Sequence, residues 1–118
     1  MTRASALALL LLSAFSLFAT NTRRSEATKI DALIASVGRL QGGASFIRNG
    51  KAYDAATAAK FLRGKWERQT REIATAEEFI ERVGTRSSTT GRAYMVRYRD
   101  GHEVPVAVFL RTELQKLH

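Results

Sequence analysis

Cysteine is absent from the 118 residues. That excludes disulfides, thiol nucleophiles, thiolate zinc sites and the lipid-modified cysteine of a lipoprotein. Proline occurs once, at Pro105, and histidine twice, at His102 and His118. With one proline, no low-complexity stretch and no internal repeat, nothing in the chain reads as an interdomain linker. Two isolated imidazoles without cysteine deny zinc and copper their usual ligands, and no cofactor is expected. A glycine-rich phosphate cradle is missing too, because Gly42-Gly43 follows a helical pattern instead of opening one. Glu77 and Glu78 are neighbours on a helical pattern, so their side chains diverge by about 100° and suit a helix start better than an acid/base dyad. Acidic residues are few, 11 against 19 basic ones, for a net charge of +8.

What is present first is a short positive start, Met1 to Arg3, followed by the uncharged run Ala4 to Ala19 of mainly Ala, Leu and Phe. This is the layout of a secretory signal. The run is shorter than the roughly 20 residues of a spanning helix, and Arg23-Arg24 closes it. A signal peptide over residues 1–19 is expected, with cleavage between 19 and 27, because Ala19 and Ala27 each offer a small residue before the cut. The mature chain, residues 28–118 with a start between Thr20 and Thr28, is then periplasmic or secreted and has no transmembrane segment. Cutting at Ala19 leaves 18 basic against 11 acidic residues, or +7; cutting at Ala27 gives +6. A basic balance attracts polyanions. The route leads away from nucleic acid, and no aromatic-plus-basic strand motif of an RNA binder occurs, so nucleic acid is not an expected partner.

The mature length buries one core. Ile30, Leu33, Ile34, Val37 and Leu40 recur at helical spacing behind Ser25, a residue able to cap, and the pattern stops at Gly42-Gly43. Asn49-Gly50 between Phe46-Ile47-Arg48 and Lys51-Ala52-Tyr53 predicts a type I′ hairpin pairing Arg48 with Lys51 and Phe46 with Tyr53. Asp54 caps a second helix whose stripe is Ala55, Ala58, Ala59, Leu62 and Trp66; Lys65 flanks that stripe, and Lys60, Arg63, Arg68 and Arg71 make the other side cationic as far as Arg71. Thr75-Ala76-Glu77-Glu78 is a capping box for a third helix, with Phe79, Ile80 and Val83 inward and Gly84 at its end. The hydroxyl-rich residues 85–92 read as a loop. A second hairpin near residues 93–108 follows, with an odd loop of three or five residues including His102 that sets Tyr98 against Val104 and Val96 against Val106. Pro105 marks its second strand as an edge. Leu110, Leu114 and Leu117 predict a terminal helix. The expected fold is a small single α+β domain with about four helices and hairpins near residues 46–53 and 93–108.

Phe46-Ile47-Arg48-Asn49-Gly50 with Tyr53, Ala58-Ala59, Leu62, Lys65, Ala76-Glu77-Glu78-Phe79-Ile80, and Ser87-Ser88 with Gly91 and Tyr94 follow one another at spacings that resemble the YfeK-like family of small bacterial exported proteins. The resemblance covers nearly the whole mature chain and implies a signal-bearing periplasmic protein without an assigned activity. It also implies cysteines at the place of Ala44 and near that of Tyr98, a covalent tie that this chain lacks.

The strongest candidate site is a polar patch of Arg48, Asn49, Lys65, Ser87 and Ser88, whose cationic, amide and hydroxyl donors match the needs of a carboxylate or phosphate. A structural reading stands beside it: the turn requires Asn49, and the two serines can bond within their own loop. The expected function is a non-catalytic binding or interaction module for an anionic ligand or envelope polyanion. The alternative is a structural or stress-related accessory protein that binds another envelope protein. Least favoured is a hydrolase, which needs a hydroxyl of residues 87–90 within reach of His102.

Overall fold

The computed structural model describes residues 22–23 and 25–118. The apolar run of residues 1–19 therefore lies outside the described residues. Helix α1 (25–38) buries Ile30, Leu33, Ile34 and Val37. Thr22 and Arg23 are already helical, so Ser25 sits within a helix and does not cap one, and the folded unit extends N-terminal of residue 28. The helix stops short of Leu40, and Gly42 and Gly43 turn the chain with φ of 68° and 82°.

Strands β1 (Ser45–Arg48) and β2 (Lys51–Tyr53) pair Phe46 with Tyr53 and Arg48 with Lys51, in the register the turn dipeptide predicts. Asn49 and Gly50 carry the positive φ angles, 52° and 79°, that a type I′ turn demands. Helix α2 (Ala55–Glu67) starts where the Asp54 carboxylate accepts from the Thr57 amide at 2.8 Å. It ends four residues before Arg71, in a pair of turns in which Gln69 donates to the Trp66 carbonyl and Glu72 to that of Gln69.

Helix α3 (Ala76–Phe79) begins with the Thr75 hydroxyl accepting from the Glu78 amide at 3.1 Å, and the same hydroxyl reaches the Glu78 carboxylate. The expected face, Ala76, Phe79, Ile80 and Val83, is buried. The helix then widens into a π-helical turn, Ile80–Gly84, which Thr85 closes by donating to the Ile80 carbonyl at 2.7 Å.

Strands β3 (Met95–Arg97) and β4 (Glu103–Pro105) complete an antiparallel sheet of order β2-β1-β3-β4, so Pro105 does lie on an edge strand. The second hairpin is shorter than the expected 93–108. Its loop is odd, but it is residues 99–101: Tyr98 donates to the carbonyl of His102, which stands outside the loop, and Val96 faces Val104 where Val106 was expected. A local latch accounts for the tighter turn, since Asp100 accepts from the His102 amide at 3.0 Å and the His102 ring stacks on Tyr98 at 4.6 Å.

Val106 and Val108 do not prolong the strand. Once the Val106 amide has donated to the Tyr94 carbonyl, Pro105 turns the chain into helix α4 (Val106–Gln115). Alternating valines are equally compatible with the i, i+4 spacing that buries Val106, Leu110 and Leu114, and burial decides between the two periods. Leu117, one of the three leucines that predict this helix, is 43% exposed, and Val108 is 49% exposed.

All four helices meet Phe46, Tyr94 and Val96 of the sheet in one apolar cluster, an α+β architecture. One step beyond the last β1–β3 pair, Ser45 with Arg97, stand Ala44 and Tyr98, both packed against that cluster. The two places where the resemblance implies cysteines are therefore cross-strand neighbours, joined here by apolar packing alone. Among the described residues no helix is long and apolar enough to cross a membrane.

Gly84 shows how closely α4 approaches the π-helical turn. A Cβ built on it would lie 2.6 Å from Leu110 Cδ1, and Leu110 is fully buried. Gly84→Ala is expected to destabilise the fold by about 1–3 kcal/mol, the usual range for overpacking. In urea denaturation the loss should shrink when Leu110→Val is added; strict additivity would mean that the clash is relieved elsewhere.

Candidate functional site

Of the five side chains expected to form a site, the structure brings four together around the Asn49-Gly50 turn and leaves Ser88 exposed beside them. Two pieces of chain build this end of the sheet: the β1–β2 turn and the loop 85–93 that leads into β3. Asn49 joins them. Its amide donates to Ser87 Oγ at 3.3 Å, and its carbonyl accepts from the Thr90 hydroxyl. Ser87, only 2% exposed, organises the loop around its hydroxyl, which also accepts from the amides of Thr89 and Thr90 and bonds the Thr89 hydroxyl. The loop ends are tied by Ser87 donating to the Arg92 carbonyl and Tyr94 to that of Thr85.

Lys65 flanks the apolar stripe of α2 and is drawn into the interior with it. It is 4% exposed, and its ammonium donates to the carbonyl of Val83 at 3.2 Å, the carbonyl of Arg86 at 2.9 Å and the Tyr94 hydroxyl at 3.1 Å. All three N–H groups are therefore used inside the protein. Val83 lies in the last turn of the α3 and π-helical segment, where free carbonyls favour a cation. Burial pushes the Lys65 pKa down from its usual 10.5, and the positive charges of Arg48 and Arg68 push the same way. Burial also raises the Tyr94 hydroxyl above its ordinary value, against the pull of the neighbouring Arg48. The sequence carried no sign of this role beyond the position of Lys65 next to the apolar stripe.

Arg48 is half-buried. Its guanidinium lies 4.7 Å above the Phe61 ring, and Phe61 and Phe46 both pack on Tyr94. Arg92 lies over the backbone of Gly50, close enough that a Cβ there would be 3.5 Å from its guanidinium. Lys51 covers Tyr53 at 5.3 Å from the ring centre, and Arg86 is exposed. The segments 44–53 and 82–99 hold seven basic residues, Arg48, Lys51, Arg82, Arg86, Arg92, Arg97 and Arg99, and no acidic one. Only Arg97 among these forms an ion pair among the described residues, with Glu103 at the far end of β3.

The hydroxyls of residues 87–90 and His102 are not brought together. They flank opposite ends of β3, and the rise of an extended chain puts Tyr94 and Tyr98 about 13 Å apart. His102 is engaged in its own turn by Asp100, whose carboxyl the His102 backbone N–H and ring hold below the usual carboxylate range. Among the described residues no cluster of three or more His, Asp or Glu side chains is placed to hold a metal.

This is a small α+β domain whose distinctive feature is a cationic loop end braced by a buried lysine. The model of a family of unknown function (DUF5329) matches residues 24–118, and the chain belongs to that family. It is also similar to the uncharacterised protein YfeK of Salmonella typhimurium, with 34% identity over 74 residues, covering 63% of this chain and 61% of that one. The chain thus spans about three fifths of the curated relative it matches. No solved structure matches it.

Lys65→Met should destabilise the fold by about 2 kcal/mol, because it strips buried acceptors of their donor. Folded Lys65 releases its proton at a lower pH than unfolded Lys65 does, so below 10.5 there is an interval in which the unfolded chain holds more protons. Its contribution is present in full above 10.5 and withdrawn as pH falls through the folded value. The stability lead of wild type over Lys65→Met in urea should therefore be larger at about pH 9.5 than at pH 7. A lead that stays level or shrinks would contradict the desolvated ammonium described above.

Proposed function

We propose that this protein is exported by means of its N-terminal segment and acts outside the cytoplasm as a non-catalytic binding module for an anionic component of the cell envelope. The observation that carries the reading is the loop end of the sheet, where Arg48, Lys51, Arg86 and Arg92 gather on segments devoid of Asp and Glu. Elsewhere charges are interspersed and several are paired, as in Arg63 with Asp31 and Lys116 with Glu113. A cluster of one sign on a rigid latch concentrates potential where a polyanion can meet it. The exposed Ser88 hydroxyl adds a neutral donor beside the charges.

On this reading the five-residue patch has two roles. Lys65 and Ser87 brace the loop, and Asn49 latches it to the turn. The groups free to meet a ligand are Arg48, Lys51, Arg86, Ser88 and Arg92.

The reading is tested with the exported, processed chain on a heparin column, after fractionation and intact-mass measurement of the cell-expressed full-length protein. Lys51→Gln/Arg86→Gln/Arg92→Gln should elute at clearly lower salt than wild type with an unchanged melting temperature. A control that removes the same charge elsewhere, Arg39→Gln/Lys60→Gln/Arg111→Gln, should move elution much less. Equal shifts would reduce the effect to net charge and sink the reading, and an uncleaved product confined to the cytoplasm would remove its compartment.

A further inference from the structure

A concavity of about 430 Å³ opens between the start of α1 and the connection from α2 to α3. Its floor is the margin of the core: Ile30 and Ile73 are buried, and Trp66 is half-buried with its ring edge-on to Phe79 at 6.4 Å. Arg23, Thr70 and Arg71 line it beside that floor, so polar as well as apolar surface faces the opening. We infer that this concavity binds an anionic amphiphile, a single alkyl or acyl chain ending in a carboxylate or phosphate, with the head on the two arginines and the chain on Trp66, Ile30 and Ile73. The site shares no residue with the cationic loop end and goes beyond the reading given there.

The donors at its rim are unspent. Among the described residues neither Arg23 nor Arg71 forms an ion pair or a side-chain hydrogen bond, and the Thr70 hydroxyl makes none either. Both arginines are exposed, so a molecule arriving from solvent can reach them. No Asp or Glu lines the concavity, and Glu26, three residues along from Arg23, is turned to Lys29 at 3.6 Å. The wall is also fixed without a ligand. Two successive turns, Gln69 donating to the Trp66 carbonyl and Glu72 to that of Gln69, fold the connection back so that Thr70, Arg71 and Ile73 line the same space as Trp66.

Two guanidiniums from separate segments suit an anionic head with two or three acceptor oxygens. The floor sets the rest of the ligand. An inorganic anion would use the arginines and leave the Trp66, Ile30 and Ile73 surface wet, and a neutral chain would use that surface and leave the arginines idle. A molecule with both parts engages the whole wall, and its methylenes bury favourably on the floor. The volume falls within the range of about 300–1,000 Å³ of small-molecule sites, which combine an apolar lining with a few polar groups in the same way.

Trp66 is the one tryptophan of the chain, so its fluorescence reports on this site directly. The exported, processed protein is titrated with octanoate and, separately, with octyl phosphate, both below micelle-forming concentrations. At least one should shift the emission saturably, and the tighter of the two names the head group. Shortening that ligand by four methylenes, to butyrate or butyl phosphate, should weaken binding about a hundredfold. Inorganic phosphate should produce no saturable shift. Arg23→Gln/Arg71→Gln should weaken binding at least about tenfold with an unchanged melting temperature, whereas Arg39→Gln/Arg111→Gln should leave it in place. Emission that neither octyl anion moves, or that octylammonium or n-octanol moves as strongly, would overturn the assignment, and these are wild-type measurements that do not depend on a variant folding. A mature N-terminus beyond Arg23 by intact mass would overturn it too, since one of the two cations would be gone. Retention on heparin is read on other residues, so this site and the polyanion reading can each fail alone.

Discussion

The ammonium of Lys65 ties together three segments that the apolar core sets side by side. From the last turn of α2 it reaches the end of the π-helical segment, the start of the 85–93 loop and the hydroxyl at the head of β3. The Val83 carbonyl would face the interior without its donor if the lysine were absent, and the lysine would be a buried charge short of acceptors if these groups moved. The arrangement is therefore mutually conditional. In a chain with no disulfide to make, a three-way hydrogen-bonded cation acts as a cross-link between elements distant in sequence.

That cross-link determines what can be displayed at the surface. Since Lys65 fixes the Arg86 carbonyl and Ser87 is anchored on Asn49, the loop enters and leaves along defined paths, and Arg86 and Arg92 emerge from a rigid base. Such pre-organisation favours binding because less freedom remains to be lost on contact. Of the loop-end cations, Arg48 also lies close enough to the Lys65 ammonium to act on its charge. On the proposed reading an anion there would offset repulsion between cations as well as form new contacts, which is why the absence of acidic residues in segments 44–53 and 82–99 bears on that reading.

Much of this architecture was legible in the residues where a local signal had one meaning. Asn49-Gly50 demands positive φ angles twice in succession, and Asp54 and Thr75 offer a cap with nowhere else to act, so the first hairpin and two helix starts follow from chemistry within a few residues. The errors fell where one pattern serves two periods. Val104 to Val108 alternates like a strand and also spaces like a helix, and only the core beneath Leu110 and Leu114 chooses between them. The widened turn at Ile80–Gly84 likewise answers to the close passage of α4 at Gly84, a contact between segments far apart in sequence.

The candidate site was legible in membership but not in roles. Arg48, Asn49, Lys65 and Ser87 do converge, yet residue type alone cannot say whether a donor faces a ligand or a carbonyl of its own chain. That depends on which backbone acceptors the tertiary fold leaves unmet. The π-helical turn and the loop supply two such acceptors to Lys65, which is consumed by them, whereas the strand supplies none to Arg48 Nε. The same donor-rich neighbourhood thus splits into a satisfied half that holds the loop and a half at Arg48 whose Nε stays buried without an acceptor.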